Sequence, residues 1–469
     1  MRIRVLGHRV PVSMAVLSAI EAVVFFGAVY GAVLARFGTD LTAPDSLVDL
    51  QGALWPRALL FSAIMMVCFL AFGLYSLRQR ARLAGIALRM TVALLVGFII
   101  TAALFYVVPV LWIGRGVVAL AAIGGFCGVT LSRVIFSNVV DEDLFKRRVL
   151  VYGAGESAAA IAGLRRRADR RGFVVTGFVP SHPTEHAVAH DRIVDPAGNL
   201  ARLCQSLNVV EIVVAMDDRR SGFPIADLLK CRLAGFDVTE LLTFLERETG
   251  RVRLDVLNPS WMIFGEGFRR DPLRLISTRT LDLTGSLIAL ALALPFMLLT
   301  ALAIKAEDGW QAPVLYRQRR VGLAGRPFNV LKFRSMRTDA EIDGRPRWAQ
   351  KRDPRVTRVG SLIRKIRLDE LPQLLNVLRG QMSLVGPRPE RPEFVAELAE
   401  RIPYYVERHC VKPGITGWAQ LCYPYGSSEQ DALEKLQYDL YYVKNHSLLF
   451  DLAILLQTAE VVFLGKGAR

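Results

Sequence analysis

Four long apolar runs occupy the first third of this 469-residue chain and constrain its fold more than any other feature. A helix of about 20 apolar residues spans the hydrocarbon core of a bilayer. Hydrophobic residues make up 52% of the chain, a high share for a soluble protein. The sequence therefore predicts a membrane protein whose residues 1–140 form an N-terminal four-helix transmembrane bundle, with spans at about 12–35, 57–77, 86–109 and 115–136.

Charged residues between the runs predict which side of the membrane the ends face. Loops rich in lysine and arginine stay in the cytoplasm, so both ends of the bundle are predicted to be cytoplasmic. The basic residues are Arg2, Arg4, Arg9, Arg78, Arg80, Arg82, Arg89, Lys146, Arg147 and Arg148, and the first loop carries Asp40, Asp45 and Asp49. Glu21 lies inside the first span and is either a functional intramembrane acid or a residue with a partner in the bundle.

The segment 146–265 is predicted to form a Rossmann-like domain. Gly153 and Gly155 follow an apolar strand and precede a helical segment, and Ala158 stands at the third glycine position of a dinucleotide fingerprint. Two interpretations stay open. The turn binds a nucleotide, or the domain is a scaffold or dimerisation domain whose glycines only permit the tight turn; a homodimer is expected. Further strands are predicted at about 174–179, 211–215 and 236–241.

The net charge of +16 indicates a negatively charged partner. No zinc-ligand spacing, basic repeat or aromatic RNA-binding signature accompanies this charge, so a nucleic acid is not expected. Anionic lipid or a phosphorylated substrate remains. The six cysteines show no disulfide framework, and no metal is assigned to the six histidines.

A fifth apolar run, at about 281–304, carries Pro295 in its interior. A full crossing there would move the arginine-rich segment that follows out of the cytoplasm, against the positive-inside rule. A proline removes a backbone donor and can bend a helix. We therefore predict a re-entrant helix that enters and leaves on the cytoplasmic face, with its kink at Pro295. The last apolar stretch, 446–465, is interrupted by polar residues and predicts either an interfacial or a buried core helix.

An adjacent acid pair, Asp369 and Glu370, precedes an apolar helical pattern and follows several basic residues, Arg364 among them. Pro372 is tolerated only in a first turn, so the helix is predicted to begin near Asp369. A carboxylate held ionised at a helix N-terminus beside arginines could attack a phosphoryl group. An ordinary N-capping acid with a solvated neighbour is the alternative.

Three more sequence blocks accompany the acid pair. They are Lys332-Phe333-Arg334, Gly386-Pro387-Arg388-Pro389 and Lys412-Pro413-Gly414-Ile415-Thr416-Gly417. Together with the acid pair, over about residues 274–466, they resemble the catalytic domain of bacterial sugar transferases. These are the polyprenyl-phosphate glycosyl-1-phosphate transferases that start exopolysaccharide or O-antigen synthesis.

The resemblance implies the architecture and the substrates. Residues 271–469 would comprise the re-entrant helix and a small cytoplasmic α/β catalytic domain in the bacterial inner membrane. The family's usual small residue before the membrane proline is Leu294 here. The substrates would be a UDP-sugar and a polyprenyl phosphate, undecaprenyl phosphate in bacteria, and UMP would leave.

The resemblance also implies residue roles. Asp369 would form a covalent phosphosugar intermediate, and Mg²⁺ would bind beside Glu370. The phosphates would be held by Lys332, Arg334, Arg364, Arg388 and Lys412.

Several alternatives stay open. Asp369 could act as a base or metal ligand in a direct transfer, or the protein could be a membrane scaffold or sensor. A nucleotide-sugar dehydratase lacks its Tyr-x-x-x-Lys base behind the glycine turn, and a processive glycosyltransferase lacks its Asp-x-Asp. The sequence does not distinguish glucose, galactose and their N-acetylated relatives.

Overall fold

The chain divides into two compact units, residues 1–249 and 250–469. The computed structural model of the protein describes the following residues: 2–5, 8–38, 53–75, 83–139, 146–164, 169, 170, 172–182, 185, 187–196, 198–218, 220, 222–257, 272–337, 355–423, 426 and 428–463. The predicted aspartate loop and the basic residues Arg78, Arg80 and Arg82 lie outside these residues.

The first unit begins with a short β-hairpin and four long apolar helices. The strands are β1 (Arg2–Val5) and β2 (His8–Pro11), and the helices are α1 (Val12–Phe37), α2 (Leu54–Ala71), α3 (Leu83–Val107) and α4 (Arg115–Val139). By length and composition, these four and one helix of the second unit could each cross a membrane. The structure thus confirms the predicted helices, whereas their transmembrane arrangement stays a prediction.

Glu21 on α1 has partners inside the bundle. Arg133 of α4 donates from Nε to Glu21 Oε1 at 2.6 Å, and the Tyr75 hydroxyl donates to Glu21 Oε2. The Glu21 side chain is fully buried. A buried carboxylate is tolerated when a cation and hydrogen bonds compensate its lost hydration. These contacts favour the partnered interpretation of Glu21.

The rest of the first unit is a parallel sheet with helices. The strands β3 (Arg147–Tyr152), β4 (Phe173–Val179), β5 (Glu211–Val214) and β6 (Asp237–Glu240) pair in the order β4-β3-β5-β6. The helices are α5 (Glu156–Ala162), α6 (Leu200–Ser206), α7 (Ile225–Leu233) and α8 (Leu241–Thr249). The central strands β3 and β5 are buried along most of their length, which is typical of a sheet covered on both faces. The three further strands predicted from the sequence are confirmed to within one residue at each end.

Two carboxylates accept hydrogen bonds from backbone N–H groups around the glycine turn of this sheet. Glu185 accepts from the Ala154 backbone N–H at 2.7 Å. Asp217 accepts from the backbone N–H groups of Glu156 at 2.9 Å and Ser157 at 2.7 Å. Burial raises the pKa of Asp217, but the hydrogen bonds from Ser157 and Glu156 outweigh it and the pKa is lowered. A phosphate at this turn would have to displace Asp217, so nucleotide binding stays a prediction.

The second unit combines one long helix with two small sheets and several short helices. The strands are β7 (Leu315–Val321), antiparallel to β8 (Pro327–Phe333), and β9 (Ser383–Val385), parallel to β10 (Gly414–Thr416). The helices are α9 (Pro272–Asp308), α10 (Arg358–Lys365), α11 (Gln373–Leu378), α12 (Pro392–Arg401), α13 (Trp418–Cys422), α14 (Glu429–Asn445) and α15 (Leu448–Phe463). One face of α15 lies in the core, where Asp451 and Ile454 are buried.

Both ends of the helix α9 contact the rest of the second unit. Arg279 donates to the backbone carbonyls of Val377 and Leu378, both at 2.7 Å, at the C-terminus of α11. Near the other end, Ile304 packs in a core cluster with Phe333. Pro295 lies inside the 37-residue helix, which is assigned as one continuous element.

One face of α9 packs against the rest of the second unit, and the opposite face exposes apolar side chains. Asp282 accepts from the Ser383 hydroxyl and the Leu384 backbone N–H, both at 2.8 Å. Between the ends, the side chains of Leu290 and Met297 pack against the core. The opposite face exposes large apolar side chains: Leu287, Ile288, Leu292, Phe296 and Leu299.

Candidate active site

The acid pair lies on a tight turn that precedes α11. Arg367 adopts a left-handed backbone with φ of 58°, and a 3₁₀ turn follows at Leu368–Glu370. The α-helix begins only at Gln373, with Pro372 at its N-cap position. The prediction of a helix start near Asp369 is therefore wrong by four residues. Pro372 has no backbone N–H, so the turn before it closes by shorter bonds, including that from Leu371 N–H to the Leu368 carbonyl at 3.2 Å.

Three cations surround Glu370. The Lys332 ammonium donates to Glu370 Oε1 at 3.1 Å, and Arg388 Nη2 donates to the same oxygen at 3.0 Å. Arg367 lies 3.7 Å from the other oxygen. Burial would raise the pKa of Glu370, but the charges of these three residues outweigh it and hold the pKa well below its usual range. Glu370 is therefore ionised throughout the physiological pH range.

Asp369 has the opposite electrostatic balance. Burial and the neighbouring charge of Glu370 raise the pKa of Asp369, against the attraction of Lys332, Arg364 and Arg388. A more basic carboxylate is a stronger nucleophile once it is ionised. The two adjacent acids therefore differ chemically. Glu370 is a fixed negative charge among cations, and Asp369 is the carboxylate of the pair that lines a cavity.

That cavity has a volume of about 770 Å³ and brings together most of the predicted phosphate-binding residues. Lys332, Arg334, Arg364 and Arg388 all line it with Asp369. Arg334 is buried and donates from Nη2 to Asp308, at the end of α9, at 2.7 Å. Several guanidinium groups around one carboxylate form a site suited to phosphate oxygens.

Lys412 lies elsewhere. Among the described residues, it is not part of the cavity wall. Burial and the nearby charge of Arg279 lower the pKa of Lys412, whereas Asp282 opposes the shift. Lys412 therefore lies where α9 contacts the rest of the second unit. Its assignment to phosphate binding stays a prediction.

The loop that carries Arg388 is held by hydrogen bonds to three successive carbonyls. Arg408 Nη2 donates to the Arg388 carbonyl at 3.1 Å. Arg320 Nη1 donates to the Pro389 carbonyl at 3.2 Å, and the Val321 backbone N–H donates to the Glu390 carbonyl at 2.9 Å. These bonds fix the guanidinium of Arg388 over Glu370. Arg320 and Arg408 were not predicted from the sequence as residues of the site.

Arg408 is in turn fixed by a buried acid. Its Nη2 lies 2.8 Å from Asp439 Oδ2, and its Nη1 donates to the Tyr405 hydroxyl at 2.7 Å. Burial raises the pKa of Asp439 to about 6, although Arg408 opposes the shift. The charged residues in the Gln437–Lys444 segment could have indicated such a pair, since that stretch is otherwise apolar and aromatic.

Asn376 is a third residue of the site that was not predicted from the sequence. Its side chain is fully buried on α11, accepts from the Leu331 backbone N–H at 2.9 Å and donates to the Asn329 carbonyl at 2.8 Å. It also donates to Gln381 Oε1 at 2.8 Å. This amide joins the helix that follows the acid pair to the strand that carries Lys332. An asparagine between leucine and valine residues of a short helix was the feature of the sequence that could have indicated a buried, hydrogen-bonded amide.

The fit of a divalent cation depends on the acid pair itself. Within the described residues, no group of three or more histidine, cysteine or acidic side chains is placed to hold a metal. Mg²⁺ commonly binds through one or two carboxylates, with substrate phosphates and water completing its shell. The Glu370 oxygen that faces Arg367 can supply one such carboxylate. The cation would therefore need the phosphates of a bound substrate.

Comparisons with known proteins agree with this arrangement. The family described as "Bacterial sugar transferase" matches residues 273–465. A UDP-glucose:undecaprenyl-phosphate glucose-1-phosphate transferase of Xanthomonas campestris pv. campestris is 32% identical over 378 residues, which cover 76% of this chain and 75% of that protein. These matches define a class of transferases. The chain belongs to the bacterial sugar transferase family.

Two further relatives differ in how much of their length is matched. A UDP-N-acetylgalactosamine-undecaprenyl-phosphate N-acetylgalactosaminephosphotransferase of Aeromonas hydrophila is 42% identical over 54% of this chain, and the match spans 58% of that relative. An exopolysaccharide production protein of Rhizobium leguminosarum bv. phaseoli is 42% identical over 41% of this chain and 98% of its own length. The part shared with this short relative is about the length of the second unit.

The Asn376 contacts predict a local loss of stability on truncation. Asn376→Ala would leave the Leu331 N–H and the Asn329 carbonyl buried without this partner, a cost of about 3 kcal/mol. If the free energy of local opening of β8 falls by this amount, its amide hydrogen exchange, measured by mass spectrometry, should accelerate by about two orders of magnitude. Asn445→Ala, at an exposed asparagine, is the matched control and should leave β8 unchanged. Unaltered exchange in the Asn376 variant would contradict this role.

Proposed function

We propose that the protein transfers a sugar 1-phosphate from a UDP-sugar to undecaprenyl phosphate or another polyprenyl phosphate. UMP is released, and the polyprenyl-diphosphate sugar starts the repeat unit of an exopolysaccharide or lipopolysaccharide. The observation that carries the proposal is the placement of Asp369 and Glu370 among Lys332, Arg364 and Arg388 at one cavity. The class of acceptor comes from the activities for which the relatives are named.

In the first step, a carboxylate oxygen of Asp369 attacks the β-phosphorus of the donor. A bond forms between that oxygen and phosphorus, and the phosphorus–oxygen bond to the α-phosphate breaks. UMP departs with the electron pair, and the sugar phosphate stays on Asp369. Because a negative nucleophile approaches a negative diphosphate, the cations Lys332, Arg364 and Arg388 must offset the repulsion.

In the second step, a phosphate oxygen of the polyprenyl phosphate attacks the same phosphorus. The bond to Asp369 breaks, its carboxylate is regenerated, and the lipid-linked diphosphate sugar forms. One set of cations thus serves two substrates in turn, one water-soluble and one in the membrane.

Mg²⁺ is proposed as the cofactor. Glu370 would hold it together with the donor phosphates. When bound, the cation would supply further positive charge to the phosphate oxygens. The fixed ionisation of Glu370 by Lys332 and Arg388 keeps that ligand ready at any physiological pH.

A re-entrant placement of α9 on the cytoplasmic side would bring this site to the lipid headgroups. About 25 residues separate Arg279 from Ile304, or about 38 Å of helix, which exceeds the hydrocarbon thickness of about 30 Å. In a helix that crossed the membrane, these residues would face opposite sides. Both contact the same folded unit, as do Leu290 and Met297 between them. The exposed apolar face of α9 would then lie in the inner leaflet.

The main alternative is a direct transfer in which Asp369 acts as a base or metal ligand. The raised pKa of Asp369 is compatible with either role. A scaffold or sensor would explain the first unit but would leave the cavity without a purpose. If the protein forms the expected homodimer, the first unit would hold the two copies together.

The covalent route predicts a specific loss in Asp369→Asn. Because the amide lacks the attacking charge, activity should fall by several orders of magnitude. Wild-type enzyme incubated with UDP-sugar alone should release UMP in a burst of up to about one equivalent and carry a sugar-phosphate mass on the peptide containing Asp369. Turnover with lipid but no burst and no adduct without it would favour direct transfer.

The electrostatics of Asp369 predict a pH effect. Its pKa is raised, so the acid limb of kcat/KM for the donor should lie above the ordinary aspartate value of about 3.9. Activity should fall as the pH drops through that raised pKa. Arg364→Gln removes a cation that lowers the pKa, so its acid limb should move to higher pH. Arg379→Gln, at an exposed arginine, is the control and should leave the limb in place; a downward shift in the Arg364 variant would contradict the assignment.

The re-entrant placement predicts a labelling pattern in intact cells. In a chain without its native cysteines, Leu273→Cys and Trp310→Cys place thiols at exposed positions near the two ends of α9. An impermeant maleimide added from outside should label neither, and it should label both in inverted membranes. Asp45→Cys, in the loop predicted to be external, is the positive control. External labelling of position 310 but not 273 would show a crossing helix.

A further inference from the structure

The described lining residues of the cavity fall into two groups of chain segments that differ in charge. One group is formed by the end of β8, the segment after it, and α10 with the turn that follows it, and we term it the basic side. Its charged lining residues besides Asp369 are Lys332, Arg334, Arg337, Arg355, Arg364 and Arg367. The other side is formed by Glu390 and the helices α12 to α14, and we term it the mixed side. It combines acids, bases, an amide and aromatic rings, among them Glu390, Arg408, Gln420, Tyr423, Lys435 and Asp439.

The basic side adjoins the end of α9. Arg334 is paired with Asp308, and Glu307 accepts from the Arg358 backbone N–H at 2.8 Å. Just beyond the helix, Trp310 is 77% exposed, as expected of an aromatic side chain at a membrane interface. A phosphate carried by a lipid would therefore reach Asp369 from this side. The phosphate of the nucleotide would leave on this basic side too, because the nucleotide phosphate and the lipid phosphate bond in turn to the same phosphorus.

The mixed side follows Arg388 in the chain. The carboxylate of Glu390, two residues further, lies 3.4 Å from Arg320 Nη1. Lys435 donates from Nζ to the Gly426 carbonyl at 2.8 Å. Its lining acids, Glu390, Glu397, Glu429 and Asp439, are matched by four bases, Arg391, Arg401, Arg408 and Lys435. The basic side has the larger excess of positive charge, so a diphosphate suits the basic side better.

Two buried polar atoms on the mixed side have no hydrogen-bond partner within the described residues. They are Oε1 of Gln420, an acceptor, and Nε of Arg408, a donor. Arg408 is 6% exposed, and both side chains line the cavity. A buried polar atom without a partner is costly, which favours a ligand that offers both donors and acceptors. Hydroxyl groups supply both.

We propose that the mixed side binds the sugar ring of the donor and that Gln420 and Lys435 determine which hexose is accepted. This inference rests on the proposed transferase function. The sugar has to stay in place through both half-reactions, while the nucleotide phosphate and the lipid phosphate exchange on the basic side. An uncharged, hydroxyl-rich ring beside Arg388 meets the carboxylate of Glu390, the amide of Gln420 and the ammonium of Lys435.

The test uses the full-length protein in detergent with Gln420→Met and Lys435→Met, which keep side-chain length and remove the polar group. The donors are UDP-glucose, UDP-galactose and their two N-acetylated counterparts, with undecaprenyl phosphate as acceptor. In each variant, KM for the best donor should rise about tenfold, and the ratio of kcat/KM between donors should change about tenfold. Inhibition by UDP, which carries no sugar, should change less than about twofold.

Gln437→Met is the matched control, because Gln437 is buried on the same helix as Lys435 but does not line the cavity. It should leave donor ratios unchanged, and equal thermal unfolding of all three variants would show that they fold. Unchanged donor ratios and KM in Gln420→Met and Lys435→Met would overturn the proposal. A parallel weakening of UDP inhibition would assign the mixed side to the nucleoside and overturn it as well. Absence of transfer from every UDP-sugar by the wild type would instead refute the proposed function.

Discussion

The ion cluster around Glu370 is the interaction on which the second unit depends. Lys332 comes from a strand, Arg388 from a proline-bounded loop and Arg367 from the turn itself, and the three meet at one half-buried carboxylate. Removal of one partner from such a cluster leaves charges that are poorly hydrated and uncompensated. The cluster therefore joins three separate segments of the chain. It also separates the two acids chemically, because the charge of Glu370 raises the pKa of its neighbour Asp369.

A surrounding layer of hydrogen bonds keeps that cluster in place. Asn376 ties the helix after the acids to the strand of Lys332, and Arg408 ties the Arg388 loop to the buried Asp439. Arg279 of the long apolar helix binds the carbonyls at the end of the same helix as Asn376. The position of this long apolar helix is thus connected to the acid pair through one short helix of six residues.

Much of the fold was predictable because it follows from apolar length and periodicity. The long helices and the parallel strands were found to within a few residues, and the sequence blocks around Lys332, Asp369 and Arg388 meet at one cavity. The start of the helix at Gln373 was missed because the missing N–H of Pro372 acts on the turn before it. Arg408 and Asn376 were missed because they act through bonds to the backbone of distant segments, the Arg388 carbonyl and β8, which sequence spacing does not reveal. Lys412 has a similar motif context to Arg388, yet it lies beside α9.

The glycine turn of the first unit carries a lesson for classification by motif. A Cβ at Gly153 would approach the Ala215 carbonyl oxygen to 2.2 Å, and one at Gly155 would approach Asp217 Oδ2 to 1.9 Å. The Ala215 backbone therefore accounts for a glycine at position 153, and a side chain at position 155 would displace Asp217. Asp217, about sixty residues downstream, already accepts the backbone N–H groups at the start of the helix. In this chain, the acid after the third parallel strand therefore says more about the turn than the spacing of its glycines does.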